Sequence, residues 1–99
     1  MNKTMILVLA LVSGAAAAHP EDNPINSASE LRDWCQRESE AQFIGKGITP
    51  YNWSASFWEE GNTLLVKGSW RVDKTEAVVE CRVARGARSS YATVSVHEK

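Results

Sequence analysis

Apolar residues recur along this chain with two different periods, and the change between them falls near residue 50. From Ala28 to Phe43 the spacing is helical. At 100° per residue, Ala28, Leu31, Trp34, Cys35, Glu38, Ala41 and Gln42 share one face, and Arg32, Asp33, Gln36, Arg37 and Glu40 take the other. Ser27 to Glu30 form a capping box, with Ser27 as the N-terminal cap and Glu30 three residues on. Gly45 and Gly47 end the run, because glycine accepts the left-handed backbone that closes a helix.

From Tyr51 the period becomes two. Tyr51, Trp53, Ala55 and Phe57 fall on one side of a first strand. Leu64, Val66, Gly68, Trp70 and Val72 do so on a second, Ala77, Val79, Cys81 and Val83 on a third, and Ala92, Val94 and Val96 on a fourth. Turns are expected at Glu60-Gly61, at Asp73 to Glu76 and at Gly86 to Ser89. The apolar positions alternate odd, even, odd, even from strand to strand, so hairpin partners must have an odd sum. This pairs Tyr51 with Trp70, Trp53 with Gly68, Ala55 with Val66 and Phe57 with Leu64. The next hairpin pairs Val66 with Val83, Gly68 with Cys81, Trp70 with Val79 and Val72 with Ala77, and Cys81 then faces Val94. Trp53, Gly68, Cys81 and Val94 become one inner row, with Gly68 leaving room for the Trp53 ring. The expected fold is α+β: one N-terminal α-helix packed on a four-stranded antiparallel β-meander.

The start of the chain changes what is folded. Lys3, the apolar run Met5 to Val12 and the small residues Ala16-Ala17-Ala18 read as a signal peptide over residues 1–18, leaving a mature chain from His19. The run is too short to span a bilayer, so no stable membrane insertion is expected. Residues 19–26, polar with two prolines, read as a flexible leader before a single α+β domain at 27–99. Export to a periplasmic or secreted location turns the two cysteines, Cys35 and Cys81, into an expected disulfide between helix and third strand. On the chain-entropy model such a bridge contributes about 4 kcal/mol. A core this small benefits from such a staple. The net charge of −1 carries no basic stripe, so no nucleic-acid partner is expected.

Candidate chemistry is sparse. Glu38 and Gln42 sit on the apolar helical face and are the candidate buried polar residues. Glu38 is expected near Tyr51, Trp70 and Val79, held by a phenol hydroxyl or an indole N–H. A catalytic role would need a second carboxylate or a nucleophile beside it, and no inward strand position supplies one, so no catalytic residue is assigned and no enzyme is expected. A free amine at His19 could join His97 in a copper brace, but the fold sets them at opposite ends of the sheet, so neither a metal nor another cofactor is expected. "IGKGITP" (44–50) joins a helix to a strand, the reverse of a phosphate loop. "NWS" (52–54) fits the glycosylation triplet but falls within a strand.

"LLVKG", Leu64 to Gly68, resembles the glutamine-x-valine-x-glycine hairpin of the cystatins, a family that also lays one helix across an antiparallel sheet. Leu64 stands at the glutamine position, and the strand that precedes the helix in cystatins has no counterpart. The likeness implies architecture and no site residues.

The outward face of the sheet remains. The expected rows there are Trp58–Thr63, Ser56–Leu65–Ala84–Tyr91, Ser54–Lys67–Arg82–Thr93 and Arg71–Val78. Trp58, Leu65, Lys67, Arg71, Val78, Arg82 and Tyr91 make a candidate interaction surface, because exposed apolar groups mixed with arginine mark contact faces. The loop at Gly86 to Ser90, with Arg85 and Arg88 protruding, could extend it. The expected function is a small exported, non-enzymatic interaction module, such as an inhibitor or accessory protein, with an unknown protein partner or self-association. The alternative is a small-ligand-binding protein with its site between helix and sheet near Glu38.

Overall fold

A computed structural model describes residues 22–98. The segment 1–18 expected to be a signal peptide, and His19 with it, lie outside the described residues. The elements are α1 (Ala28–Gly45), β1 (Tyr51–Glu60), β2 (Thr63–Val72), β3 (Thr75–Ala84) and β4 (Thr93–Glu98). The strands form one antiparallel sheet in chain order, and α1 covers one face. This is the architecture expected from the two periods.

Both ends of α1 are closed by local chemistry. The Ser27 hydroxyl accepts the Glu30 amide at 3.2 Å, and the Glu30 carboxylate returns to the Asn26 amide at 2.8 Å. At the other end Gly47, at φ +80°, donates to the Ile44 carbonyl, and the Ile48 amide donates to the Phe43 carbonyl. This pair of bonds is a Schellman motif, and Ile48 completes it by packing on the core.

The first hairpin turn keeps its expected two residues but sits one place further on, and the second is tighter than the sequence suggested, two residues in place of four. Glu60 pairs with Thr63 around Gly61-Asn62, and Val72 pairs with Thr75 around Asp73-Lys74. Each turn has a positive φ at its first central residue, Gly61 at +60° and Asp73 at +57°, the arrangement of two-residue hairpins that follow strand twist. From Ser54 onward both registers therefore differ from expectation by two residues, a shift that leaves side chains on their expected faces. Ala55 pairs with Gly68, Val66 with Cys81 and Gly68 with Val79. Cys81 pairs with Val94, as expected.

Leu64, Val66, Trp70, Val72, Ala77, Val79, Cys81 and Val83 are buried under α1, against Leu31, Trp34, Cys35 and Phe43. The Cys35–Cys81 disulfide joins α1 to β3 within this core. The described part of the expected flexible leader is ordered instead. Pro24 bridges Arg88, the Ile25 amide donates to the Ala87 carbonyl, and the Ile25 carbonyl accepts the Gly86 amide. Ile25 is buried in the core. An apolar side chain among prolines and acids is easily overlooked by periodicity, yet it fills the end of the helix–sheet layer.

A candidate interaction face

Tyr51 departs from its expected side. Between Tyr51 and Ser54 the β1–β2 register slips by one residue, a bulge marked by Asn52 at φ +58°. Tyr51 is thereby paired with outward Arg71, and its hydroxyl donates to the Asp73 carbonyl at 2.9 Å, closing the far turn. Trp53 stays inward. Its ring lies across Gly68 and packs on Trp70, with centroids 5.0 Å apart.

Glu38 is not a buried carboxylate, and Gln42 is not a buried amide: both are exposed. The buried stripe of α1 runs through Ala28, Leu31, Trp34, Cys35, Ser39 and Phe43. It follows the i to i+4 row after Leu31, so the contact line drifts across the helix surface as α1 crosses the sheet. Glu38 and Gln42 sit on the side the drift leaves behind. Ser39 takes the buried polar role. Its hydroxyl donates to the Cys35 carbonyl at 2.7 Å and accepts the Trp70 indole N–H at 2.9 Å. No buried side-chain polar atom among the described residues lacks a partner. A step of four from Cys35 was the signal for Ser39. A small hydroxyl is readily read as surface.

The outward face is bare: no described element packs over it. Pairing across all four strands gives a row Trp58–Leu65–Arg82–Thr93, a row Ser56–Lys67–Glu80–Ser95, and a row Ser54–Ser69–Val78–His97. The two-residue register change thus brings Trp58, Leu65 and Arg82 side by side, where the sequence had put them in separate rows. The Trp58 indole N–H donates to the Glu60 carboxylate at 3.0 Å, which fixes the ring on the face. Lys67 faces Glu80 and Arg71 faces Glu76, so charges of both signs interleave. A depression of about 300 Å³ is lined by Trp58, Leu65, Lys67, Glu80, Arg82, Thr93 and Ser95. A second, of about 510 Å³, lies between Ser54, Ser56, Ser69, Glu76, Val78 and His97.

Two residues assigned to this surface do not present themselves there. Val78 is on the face but only 8% exposed. Tyr91 is 74% exposed but lies in a short helical turn, Ser89–Tyr91, where β3–β4 pairing has already ended at Arg82 and Thr93. The loop arginines are engaged rather than protruding. Arg85 is ion-paired with Glu59, and the Arg88 guanidinium donates to the Asp22 carbonyl at 3.1 Å.

On the other side of the molecule an open groove of about 510 Å³ runs beside α1, lined by Asp22, Trp34, Glu38, Ser89, Ser90, Ala92 and Val94. Among the described residues no three metal-ligating side chains cluster, and no helix is long and apolar enough to cross a membrane. Comparison with models of protein families, with curated proteins and with solved structures finds no match to this chain.

Proposed function

We propose that this protein is a small exported, non-enzymatic interaction module that binds a protein partner through the bare face of its sheet. The observation that carries the reading is the row Trp58–Leu65–Arg82–Thr93. It gathers an indole 40% exposed, a half-buried leucine and a free-standing guanidinium beside a shallow depression, with no described element above it. Tryptophan and arginine are the residue types that dominate binding hot spots, and a rim of mixed charge such as Lys67 and Glu80 supplies specificity. The opposite face is filled by a closed core stapled by a disulfide, which holds the binding face rigid and lowers the entropic cost of association. Capture of a partner from extracytoplasmic extract by the immobilised mature chain, compared with the Trp58→Ala/Leu65→Ser variant, tests this. Loss of capture with an unchanged melting curve supports it, and equal capture refutes it.

A second reading, a small-ligand protein, is favoured by the groove beside Glu38. There the Trp34 ring and the Glu38 carboxylate border the same open space. Its openness to solvent weakens it, because small-ligand sites normally enclose most of their ligand. Glu38→Gln should abolish binding on this reading and leave it intact on the first.

A further inference from the structure

The two edges of the sheet differ. β4 is six residues long, whereas β1 has ten, and no described strand pairs with its outer side. Among the described residues five large apolar side chains are exposed, Ile44, Tyr51, Phe57, Trp58 and Tyr91, and three of them belong to β1. Edge strands of this length are normally shortened, charged or covered. β1 carries neither lysine nor proline, its only acids are Glu59 and Glu60 at one end, and its bulge at Asn52 lies at the other, so the stretch Ser54 to Trp58 is regular and unguarded.

The backbone shows which groups are free. The residues flanking a two-residue turn form a hydrogen-bonded pair, and bonded pairs then alternate along an antiparallel ladder. Starting from Glu60 and Thr63, the residues of β1 that bond to β2 are Glu60, Trp58, Ser56 and Ser54. The N–H and C=O groups of Ala55, Phe57 and Glu59 therefore point away from the sheet. They are a ready row of donors and acceptors.

We propose that this row pairs with the same row of a second copy, β1 against β1 about a two-fold axis through Ser56, giving a continuous eight-stranded sheet. The strand is complementary to itself in that register. Antiparallel pairing about Ser56 sets Phe57 against Ala55 of the other copy and Trp58 against Ser54, so each large ring meets a small side chain on its own face. Ala55 and Phe57 form a bonded pair across the axis and Ser56 faces Ser56 in a non-bonded one, which matches the free groups. The same direction carries Glu59 and Glu60 to opposite ends of the interface, with Glu60 beside the end of the other copy that holds Arg71; parallel pairing would stack the four carboxylates together. Phe57, 41% exposed in the single chain with the Arg32 guanidinium 4.8 Å from its ring, would be enclosed. This interface uses the edge of the sheet and shares only Trp58 with the proposed binding row; Leu65 and Arg82 stay open in both copies, so Leu65→Ser tests partner binding without touching the dimer.

Sedimentation of the mature chain up to millimolar concentration, together with oxidation of Ser56→Cys and Ser54→Cys variants, tests it. The expected result is a concentration-dependent dimer in which Ser56→Cys forms an intermolecular disulfide and Ser54→Cys does not, because cysteines directly opposite across a non-bonded pair meet disulfide geometry. Ala55→Pro removes an N–H that points to open solvent and keeps the β1–β2 ladder, so it should abolish the dimer at unchanged secondary structure. Should that variant fold poorly, Phe57→Glu keeps every backbone bond, gains the Arg32 guanidinium as a partner, and should also remain monomeric. A monomer throughout the series overturns the proposal. So does a dimer in which both cysteines cross-link alike, or one that survives both blocking variants.

Discussion

Replacing Gly68 by alanine tests the packing of the inner face at its tightest point. A Cβ built on Gly68 would lie 2.4 Å from Trp53 Cη2 and 2.9 Å from both Cζ2 and Cζ3. Ordinary carbon contacts begin near 3.4 Å, so the ring must retreat by about 1 Å. An indole is rigid, and the Trp70 ring on which it packs limits its retreat. The alternative is to swing outward from the edge strand. A tryptophan buries about 150–250 Å², and Trp53 is half-buried, so losing that contact costs about 2–3 kcal/mol at ~25 cal/mol/Å². Alanine returns about 0.5–1 kcal/mol of backbone preference over glycine in a strand. The net expectation is a loss of about 2 kcal/mol, or roughly 8–16 °C in Tm for a domain of this size. Urea unfolding followed by tryptophan fluorescence measures it, and near-ultraviolet circular dichroism reports the Trp53–Trp70 pair directly. The decisive arm is a double-mutant cycle: in a Trp53→Ala background, Gly68→Ala should become neutral or stabilising. A Gly68→Ala protein within about 0.5 kcal/mol of wild type, with an unchanged aromatic signal, would refute the steric argument.

Three further outcomes follow from the same structure. Ser39→Ala leaves the Trp70 indole N–H buried without an acceptor and should cost about 1–3 kcal/mol, read by thermal or urea unfolding. Replacing both Cys35 and Cys81 by alanine opens a link of 46 residues in sequence separation and should cost about 4 kcal/mol on the chain-entropy model, so chemical denaturation should show a midpoint far below that of the oxidised protein. Glu38→Gln alters an exposed helix position and should leave stability within about 0.5 kcal/mol of wild type; a loss of several times that would mean the carboxylate has a structural partner.

The sequence made the sheet legible because its information is parity. A strand pattern with period two tells inside from outside, and a register change of two residues leaves that division intact. Hence the inward-facing sets of β2 and β3 were read correctly, although outward Val78 is buried as well, while both hairpin turns were placed wrongly. Gly61 and Asp73 sit at the first central turn positions, but either could equally have been read one place along. What parity cannot report is an inserted residue, and the bulge at Asn52 moved Tyr51 to the other face without any change in the alternation of apolar residues. The helix failed for a related reason. A wheel assumes a contact line parallel to the axis, whereas α1 crosses the sheet at an angle, which replaced Glu38 and Gln42 by Ser39 and Phe43. Trp58, Leu65 and Arg82 were each identified as surface residues, but their meeting in one row depended on the register. The buried role of Ile25 depended on a long-range bridge to the Arg88 loop that no local pattern encodes.

The most direct test of the bare face as the working surface is site-specific photocrosslinking in the source cell. A photoreactive side chain at Leu65 should capture one discrete partner, and the same group at Glu38 should capture none. A discrete adduct from Glu38 with nothing from Leu65 would contradict the account and move the functional surface to the groove beside the helix.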